Sequence, residues 1–156
     1  MIDSILFVCL GNICRSPIAE GVFRRMIEEK GLSGTIRIDS AGTSGFHQGA
    51  LPDPRSMEVC KSHGLDISGQ RSRRVVDADF ARFDLIVAMD RSNEADLKAR
   101  ATQGDSSRIV RLLEYSPQGG SDVPDPYYGG DQGFEHVYEL IAEALGELYE
   151  AHDWNS

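Results

Sequence analysis

Short apolar runs alternate along this chain with segments in which apolar residues recur every third or fourth position. Residues 4–9 (SILFVC) form the first run, and their β-branched and aromatic content is typical of a buried parallel strand. From Pro17 to Met26 apolar residues return at every fourth position, which predicts a helix. Ser16 is a good N-cap and Pro17 suits the first helical position, so we predict that this helix begins at Pro17.

The same alternation continues to the end of the chain. Further strands are predicted at residues 35–41, 85–89 and 109–113. One further helix is predicted at residues 53–63, closed by Gly64, and another near residues 92–101. A last helix has a glutamate-rich face opposite an apolar stripe, which consists of Phe134, Val137, Ile141, Leu145 and Leu148.

Alternating strands and helices favour parallel strand pairing through right-handed crossovers. We therefore predict an α/β fold, a doubly wound four-stranded parallel sheet in the order 2-1-3-4 with helices on both faces. Ligands of such sheets bind beyond the carboxyl ends of the strands, where the strand order reverses. This rule predicts a site directly after the first strand, at Cys9.

Composition narrows the class of protein. A chain of 156 residues with 40% hydrophobic content fits one domain over residues 1–156. The first residues lack the basic region of a secretion signal, and an odd count of three cysteines argues against a disulfide framework, so we expect a cytoplasmic protein. The net charge of -9 argues against nucleic acid or anionic membranes as partners. We expect a monomer.

Cys9 and Arg15 flank the loop between the first strand and the first helix, and Gly11 and Asn12 lie inside it. A helix N-terminus carries about half a positive charge, and a tight loop leading into it can surround a phosphate with N–H groups. Arginine adds a planar fork of donors that matches phosphate oxygens. Thiols in such surroundings have pKa values of about 3.5 to 7.5. The sequence therefore predicts an anion-binding loop in which Cys9 is a thiolate nucleophile.

Removal of a phosphoryl group also needs an acid that protonates the leaving oxygen. Asp125 is the candidate, because Pro124 and Pro126 stiffen the backbone around it and glycines follow at residues 129 and 130. From this peptide alone, a general acid and an aspartate in an ordinary turn remain equally open.

No cofactor or metal is expected. Cys9 and Cys14 lack the second cysteine pair or the histidines of a zinc site, and His63, His136 and His152 are scattered along the sequence.

Two motifs, one near each end of the chain, carry a family resemblance. Residues 8–17 (VCLGNICRSP) resemble the signature of low-molecular-weight protein tyrosine phosphatases, and residues 125–130 (DPYYGG) resemble that family's general-acid loop. Shorter similarities lie between them, at residues 39–42 (DSAG), 52–54 (PDP), 63–64 (HG) and 89–90 (MD).

The resemblance implies metal-independent hydrolysis of phosphotyrosine and small aryl phosphates. Cys9 would attack phosphorus, Arg15 would hold the phosphate, and Asp125 would serve as general acid and then as base. Substrate contacts are implied for Leu10, Gly11, Asn12, Ile13, Cys14, Ser16, Phe46, Tyr127 and Tyr128. Phosphotyrosine proteins are the implied substrates, with a tyrosine kinase as a partner at the level of the family.

The resemblance also implies hydrogen bonds that support the loop from Asn12, Ser40 and His63, and a hydrogen bond from Ser16 to the thiolate. For His63 a second interpretation stays open, because a cation at a helix C-terminus complements the helix dipole. Cys60 is expected in the core. Arg71, Arg73 and Arg74 are the one basic cluster, which a solvated face explains better than a docking patch.

Cys14 allows two interpretations. It lies five residues after Cys9 and could form a protective disulfide with it under peroxide, or it could be a small packed residue.

Three other functions are compatible with parts of this pattern. An arsenate reductase needs further cysteines downstream, but none follows Cys60. Protein-arginine phosphatases, by resemblance, carry a small hydroxyl residue where this chain has Ile13. An inactive phosphate-binding module would be expected to have lost Cys9 or Asp125, and both are present.

Overall fold

The structure is a computed structural model that describes residues 1–101, 108–127 and 131–156, without the side chains of residues 131 and 132. Its centre is a parallel sheet whose strands are β1 (Ser4–Cys9), β2 (Arg37–Gly42), β3 (Leu85–Ala88) and β4 (Ile109–Arg111). The strand order is β2-β1-β3-β4, so the predicted order 2-1-3-4 is confirmed. Parallel pairing sets Cys9 opposite Gly42 and Val8 opposite Ala88, which aligns the carboxyl ends of the three neighbouring strands.

The helices cover both faces of the sheet. They are α1 (Arg15–Glu29), α2 (Pro54–Ser62), α3 (Asp79–Arg82), α4 (Arg91–Arg100) and α5 (Asp131–Ala151). Alternate residues of β1 point to opposite faces: Ile5 and Phe7 pack with residues of α1, α2 and α5, whereas Leu6 and Val8 pack with residues of α3 and α4. Every residue of β1 is buried, so the end of this strand is a rigid base for whatever follows it.

Most predicted boundaries lie within two residues of the observed ones, and the differences have local causes. Helix α2 is capped by Asp53, whose side chain accepts a hydrogen bond from Arg55 N, and Gly64 follows it with a φ of 76°, as predicted. The predicted strand at residues 109–113 ends early, because residues 112–115 form a 3₁₀ turn. The short helix α3 was not predicted; Asp79 holds its first turn by accepting a hydrogen bond from Val76 N.

The predicted start of α1 is wrong. The helix begins at Arg15 rather than Pro17, and Ser16 is therefore inside the first turn instead of capping it. The hydroxyl of Ser16 contacts Cys9 and Asn12, so tertiary contacts within the preceding loop take the side chain that local capping would have used.

No helix within the described residues combines the length and the apolar character needed to cross a bilayer.

Candidate active site

The sulfur of Cys9 lies at the carboxyl end of β1, at the reversal point of the strand order. The residue is 2% exposed. Its Sγ is 3.1 Å from the hydroxyl of Ser16 and 3.5 Å from the backbone nitrogen of the same residue. Both groups can donate, so a negative charge on the sulfur has two hydrogen-bond donors at the N-terminus of α1.

The loop that follows Cys9 is fixed through its carbonyl groups. Four of these carbonyls accept hydrogen bonds from surrounding segments: Leu10 O from Ser44 N (2.9 Å), Gly11 O from Ser72 Oγ (2.9 Å), Ile13 O from Asp53 N (2.8 Å) and Cys14 O from Ser56 Oγ (3.2 Å). A peptide group is planar, with its N–H opposite its C=O. The N–H of the residue after each of these hydrogen-bonded carbonyls therefore points away from the surrounding segments.

The N–H groups of residues 11–14 make no hydrogen bond to another residue in the described parts of the chain. Free N–H groups in a tight loop before a helix are the usual protein cradle for a phosphate. Close approach of β2 to the loop depends on Gly42, because a Cβ atom there would lie 2.8 Å from Leu10 O. The backbone arrangement thus fits the predicted anion-binding loop.

Asn12 holds the loop in a strained conformation. It is buried and has a φ of 56°, in the left-handed region that costs a non-glycine residue free energy. Its Nδ2 donates to the hydroxyls of Ser16 (2.7 Å) and Ser40 (3.0 Å), and its Oδ1 accepts from Arg73 N (3.0 Å). The contacts of Asn12, Ser16 and Ser40 are those that the family resemblance implied.

Arg15 is buried, and two hydrogen-bond acceptors fix one nitrogen of its guanidinium. Its Nη1 donates to Asp90 Oδ2 at 2.7 Å and to Val123 O at 2.9 Å. Burial acts to lower the pKa of Arg15, but the negative charge of Cys9 and the contact with Asp90 outweigh it and raise that pKa. The guanidinium therefore stays charged beside the sulfur, with its orientation set by Asp90, which caps α4, and by the carbonyl of Val123.

Asp125 approaches the same guanidinium from another loop. Its Oδ2 is 3.7 Å from Arg15 Nη2, its Oδ1 accepts a hydrogen bond from Tyr127 N (3.1 Å), and its side chain is 41% exposed. The bond from Val123 N to Met89 O (2.9 Å) ties this loop to the end of β3. The carboxyl group thus faces both Arg15 and the solvent.

These groups line one cavity of about 330 Å³. Its walls are formed by Cys9, Leu10, Gly11, Ile13, Cys14, Arg15, Ser44, Phe46, His47, Asp125 and Tyr127. Phe46 is 86% exposed and packs edge-on against His47, whose ring centroid is 6.4 Å from that of Tyr127. The cavity has a polar, thiol-bearing base and an aromatic mouth.

Arg55 and Asp53 support the Tyr127 wall. Arg55 Nη2 donates to Tyr127 O at 3.0 Å, and its guanidinium carbon is 5.6 Å from the centre of the Tyr127 ring. Burial acts to raise the pKa of Asp53, but its hydrogen bonds with Arg55 outweigh this and lower it. Sequence reasoning found Asp53 only as a helix cap, and it missed Arg55, His47 and the acceptor role of Asp90.

Not every predicted site residue lies at the cavity. Asn12 and Ser16, predicted as substrate contacts, are buried and do not line it, because their side chains hydrogen-bond to Ser40 and Cys9 instead.

His63 lies at the C-terminal end of α2, where its ring stacks on Tyr138 at 3.9 Å and its Nε2 is 2.8 Å from Glu135 Oε1. The implied support of the loop by His63 is therefore wrong, because the interface between α2 and α5 takes its side chain. Tyr128 lies outside the described residues.

The other two thiols are buried and free. Burial raises the pKa of Cys14 to about 12, with negative charge on Asp53 and Cys9 adding to the effect. Burial likewise raises the pKa of Cys60 to about 12, and Cys60 lies in the core as expected. Within the described parts of the chain, no three His, Cys, Asp or Glu side chains cluster in a way that could hold a metal ion.

Comparison with known proteins identifies the family. The model of the low molecular weight phosphotyrosine protein phosphatases matches residues 4–155, and the chain belongs to this family. It is 44% identical over 146 residues to the low molecular weight protein-tyrosine-phosphatase YfkJ of Bacillus subtilis, covering 93% of this chain and 92% of YfkJ. It is 46% identical over 138 residues to the human low molecular weight phosphotyrosine protein phosphatase, covering 87% of each.

A solved structure shows the same architecture. The crystal structure of a protein tyrosine phosphatase from Entamoeba histolytica, with Hepes in its active site, superposes with a TM-score of 0.91 at 40% identity and covers 95% of both chains. The predicted fold class and the predicted family are thus both confirmed.

Proposed function

We propose that this protein hydrolyses phosphotyrosine in proteins, and small aryl phosphates, through a phosphocysteine intermediate on Cys9. One observation carries the proposal: a buried thiol, a buried guanidinium and a solvent-facing carboxyl group line the same aromatic-mouthed cavity. Cys9 and Arg15 flank one loop, and Asp125 comes from a distant part of the sequence. Together they provide a nucleophile, an anion anchor and a proton donor.

In the first step the Cys9 thiolate attacks phosphorus in line with the phenolic oxygen. The S–P bond forms as the P–O bond breaks, and Asp125 transfers its proton to the departing phenolate oxygen. The free N–H groups of residues 11–14 and the guanidinium of Arg15 hold the three equatorial oxygens, whose charge spreads in the transition state. The two backward contacts of Arg15 supply its orientation before the substrate arrives.

In the second step water hydrolyses the intermediate. Asp125, now a carboxylate, takes a proton from the water as its oxygen attacks phosphorus, and the S–P bond breaks to restore the Cys9 thiolate and release inorganic phosphate. The hydroxyl and N–H of Ser16 stabilise the returning negative charge on the sulfur. The N–H groups and arginine supply the electrostatic stabilisation, so the chemistry is proposed to need no metal.

Selectivity for an aryl phosphate follows from the walls of the cavity. Phe46 and Tyr127 present aromatic surface at the mouth, and Ile13, a residue of the loop, adds an apolar side chain to the wall. A phenyl ring inserted with its phosphate at Cys9 can pack against these rings. The apolar side chain of Ile13 favours this ring over the polar guanidinium of phosphoarginine.

The test is turnover of p-nitrophenyl phosphate and of matched phosphotyrosine, phosphoserine and phosphoarginine peptides in the presence of a chelator. We expect phosphotyrosine to be preferred, Cys9→Ser to be inactive, and rapid quenching with radiolabelled substrate to trap phosphate on Cys9. Asp125→Asn is expected to lower kcat about 100-fold or more.

The matched control is Asp122→Asn, in the same segment, where the carboxylate contacts Arg91 rather than Arg15. Its turnover should equal that of the unchanged chain. Chelator-sensitive turnover, a preference for phosphoarginine, or label absent from Cys9 would overturn the proposal.

A further inference from the structure

A chain of buried hydrogen bonds runs from the candidate nucleophile to a carboxylate on the far side of the loop. Glu20, on α1, is 7% exposed. Its Oε1 accepts from Ser40 Oγ at 2.7 Å, Ser40 Oγ accepts from Asn12 Nδ2 at 3.0 Å, and Asn12 Nδ2 also donates to Ser16 Oγ at 2.7 Å. The chain ends at Cys9, whose sulfur is 3.1 Å from Ser16 Oγ.

With Glu20 and Cys9 both ionised, every proton in this series of hydrogen bonds has one possible direction. Burial, with the negative charge of Asp39, raises the pKa of Glu20, whereas the hydrogen bonds from Ser40 and Arg24 act to lower it and favour the carboxylate. A carboxylate only accepts, so the single hydroxyl proton of Ser40 points to Glu20 and leaves the Ser40 oxygen free to accept from Asn12.

The Oδ1 atom of Asn12 accepts from Arg73 N, which fixes the amide and directs both Nδ2 protons to the two serines. Ser16 thereby accepts from Asn12, and its own proton is left for the sulfur.

We propose that Glu20 is a positioning residue that acts through Ser40 and Asn12 to aim the Ser16 hydroxyl proton at the sulfur of Cys9. The role rests on the proposed function, because it stabilises the thiolate that attacks phosphorus. Glu20 itself contacts no substrate, since it lies behind the loop and lines a separate cavity of about 650 Å³. Its second oxygen accepts from Arg24 Nη2 at 2.8 Å, which holds the carboxylate in place.

The direction in which loss of Glu20 shifts the pH dependence of Cys9 distinguishes this role from a direct effect of its charge. The negative charge of Glu20 acting through space opposes a second negative charge on Cys9, so its removal would make the thiolate easier to form. Loss of the hydrogen-bond chain has the opposite consequence, because a misdirected Ser16 proton leaves the sulfur charge with a weaker donor. The two accounts predict opposite changes in the pH dependence of Cys9.

Two substitutions of Glu20 provide the test. Glu20→Met has nearly the same length but no acceptor, so the Ser40 proton loses its partner. Glu20→Gln loses the charge but keeps an oxygen that can accept from Ser40, while the partly exposed Arg24 can turn to water. The direct readout is the pH midpoint of Cys9 alkylation by iodoacetate, which needs no phosphatase activity. Below pH 9 the reaction reports on Cys9, because the pKa values of Cys14 and Cys60 are about 12.

For Glu20→Met we expect an upward shift of the alkylation midpoint by about one pH unit and a fall in kcat of about tenfold, with KM for p-nitrophenyl phosphate nearly unchanged. Glu20→Gln should keep the alkylation midpoint within about 0.3 pH unit of the wild-type value, and kcat within about twofold. In a Ser40→Ala background, Glu20→Met should have no further effect, because the link to Asn12 is already broken.

Glu28→Met is the matched control, since Glu28 is exposed on the same helix and lines the same cavity. It should change neither the midpoint nor kcat. The proposal is wrong if both Glu20 variants move the midpoint downward, if Glu20→Met lowers only the melting temperature, or if its effect persists undiminished in the Ser40→Ala background. Failure of phosphotyrosine turnover with an intact alkylation shift would count against the proposed function alone.

Discussion

Asp90 offers a quantitative test of how Arg15 is held. Its two carboxylate oxygens have separate tasks: Oδ2 accepts from Arg15 Nη1 at 2.7 Å, and Oδ1 caps α4 by accepting from Asn93 N at 2.7 Å. Asparagine has one acceptor oxygen and therefore satisfies only one of these donors. If Asp90→Asn keeps the cap, its Nδ2 faces the guanidinium, and the buried cation loses its ionised partner.

The size of the expected loss in stability follows from the burial of the two side chains. The side chain of Arg15 is 3% exposed and that of Asp90 is 18% exposed, so water does not readily replace the lost contact. Hydrogen bonds to charged groups contribute about 1.5–3 kcal/mol, and we expect Asp90→Asn to lower the free energy of unfolding by about 2–3 kcal/mol. Asp90→Ala also removes the helix cap, which adds about 1 kcal/mol.

The assay combines denaturant unfolding with steady-state kinetics. At about 2–4 °C for each kcal/mol, Asp90→Asn should lower Tm by about 4–12 °C. The kcat/KM for p-nitrophenyl phosphate should fall about 10- to 100-fold, because Arg15 then lacks one of its two orienting contacts. Asp122→Asn, at an exposed ion pair with Arg91, should remain close to the unchanged chain in both measurements. An Asp90→Asn variant with unchanged Tm and kcat/KM would refute the role assigned to this pair.

Four further predictions concern the cavity. Phe46→Ala should raise KM for aryl phosphates severalfold with kcat little changed, and an unchanged KM would remove this wall from the site. Cys14 should resist iodoacetate between pH 6 and pH 9, because its raised pKa of about 12 keeps the thiol protonated there, whereas Cys9 should react in that range. If Cys9 and Cys14 form a protective disulfide, thiol treatment after mild peroxide should restore more activity to the wild-type protein than to Cys14→Ser. Equal recovery of activity would contradict that disulfide. Ile13→Thr should increase turnover of phosphoarginine relative to phosphotyrosine, and an unchanged ratio would show that Ile13 does not set this preference.

Much of the fold could be predicted from the sequence because its determinants are local. The apolar run of β1 and the cap and glycine around α2 act through the residues beside them in the chain, and the structure has them as predicted. Alternation of strands and helices, together with the handedness of crossovers, leaves few strand orders, which is why the order 2-1-3-4 could be predicted. The position of the site could be predicted from the same strand order, because the order reverses beside β1.

Local rules failed where a side chain has a partner outside its own helix. Ser16 satisfies every requirement of an N-cap, but contacts with Cys9 and Asn12 take its hydroxyl, and α1 starts earlier. His63 was assigned to the loop by resemblance alone, but in the structure it packs against α5. A sequence pattern contains no information on which of several possible partners lies within hydrogen-bond distance.

The sequence by itself determined the strand-loop-helix unit that carries Cys9 and Arg15, because these residues are neighbours and their geometry is set by one short turn. Only the tertiary structure decided how that unit is held. Asp90 reaches Arg15 from 75 positions away, and Ser40 reaches Asn12 from 28 positions away, through the parallel register that aligns the ends of β1, β2 and β3. Hydrogen bonds need partners within about 3 Å, and in a folded chain that proximity comes from packing rather than from sequence separation.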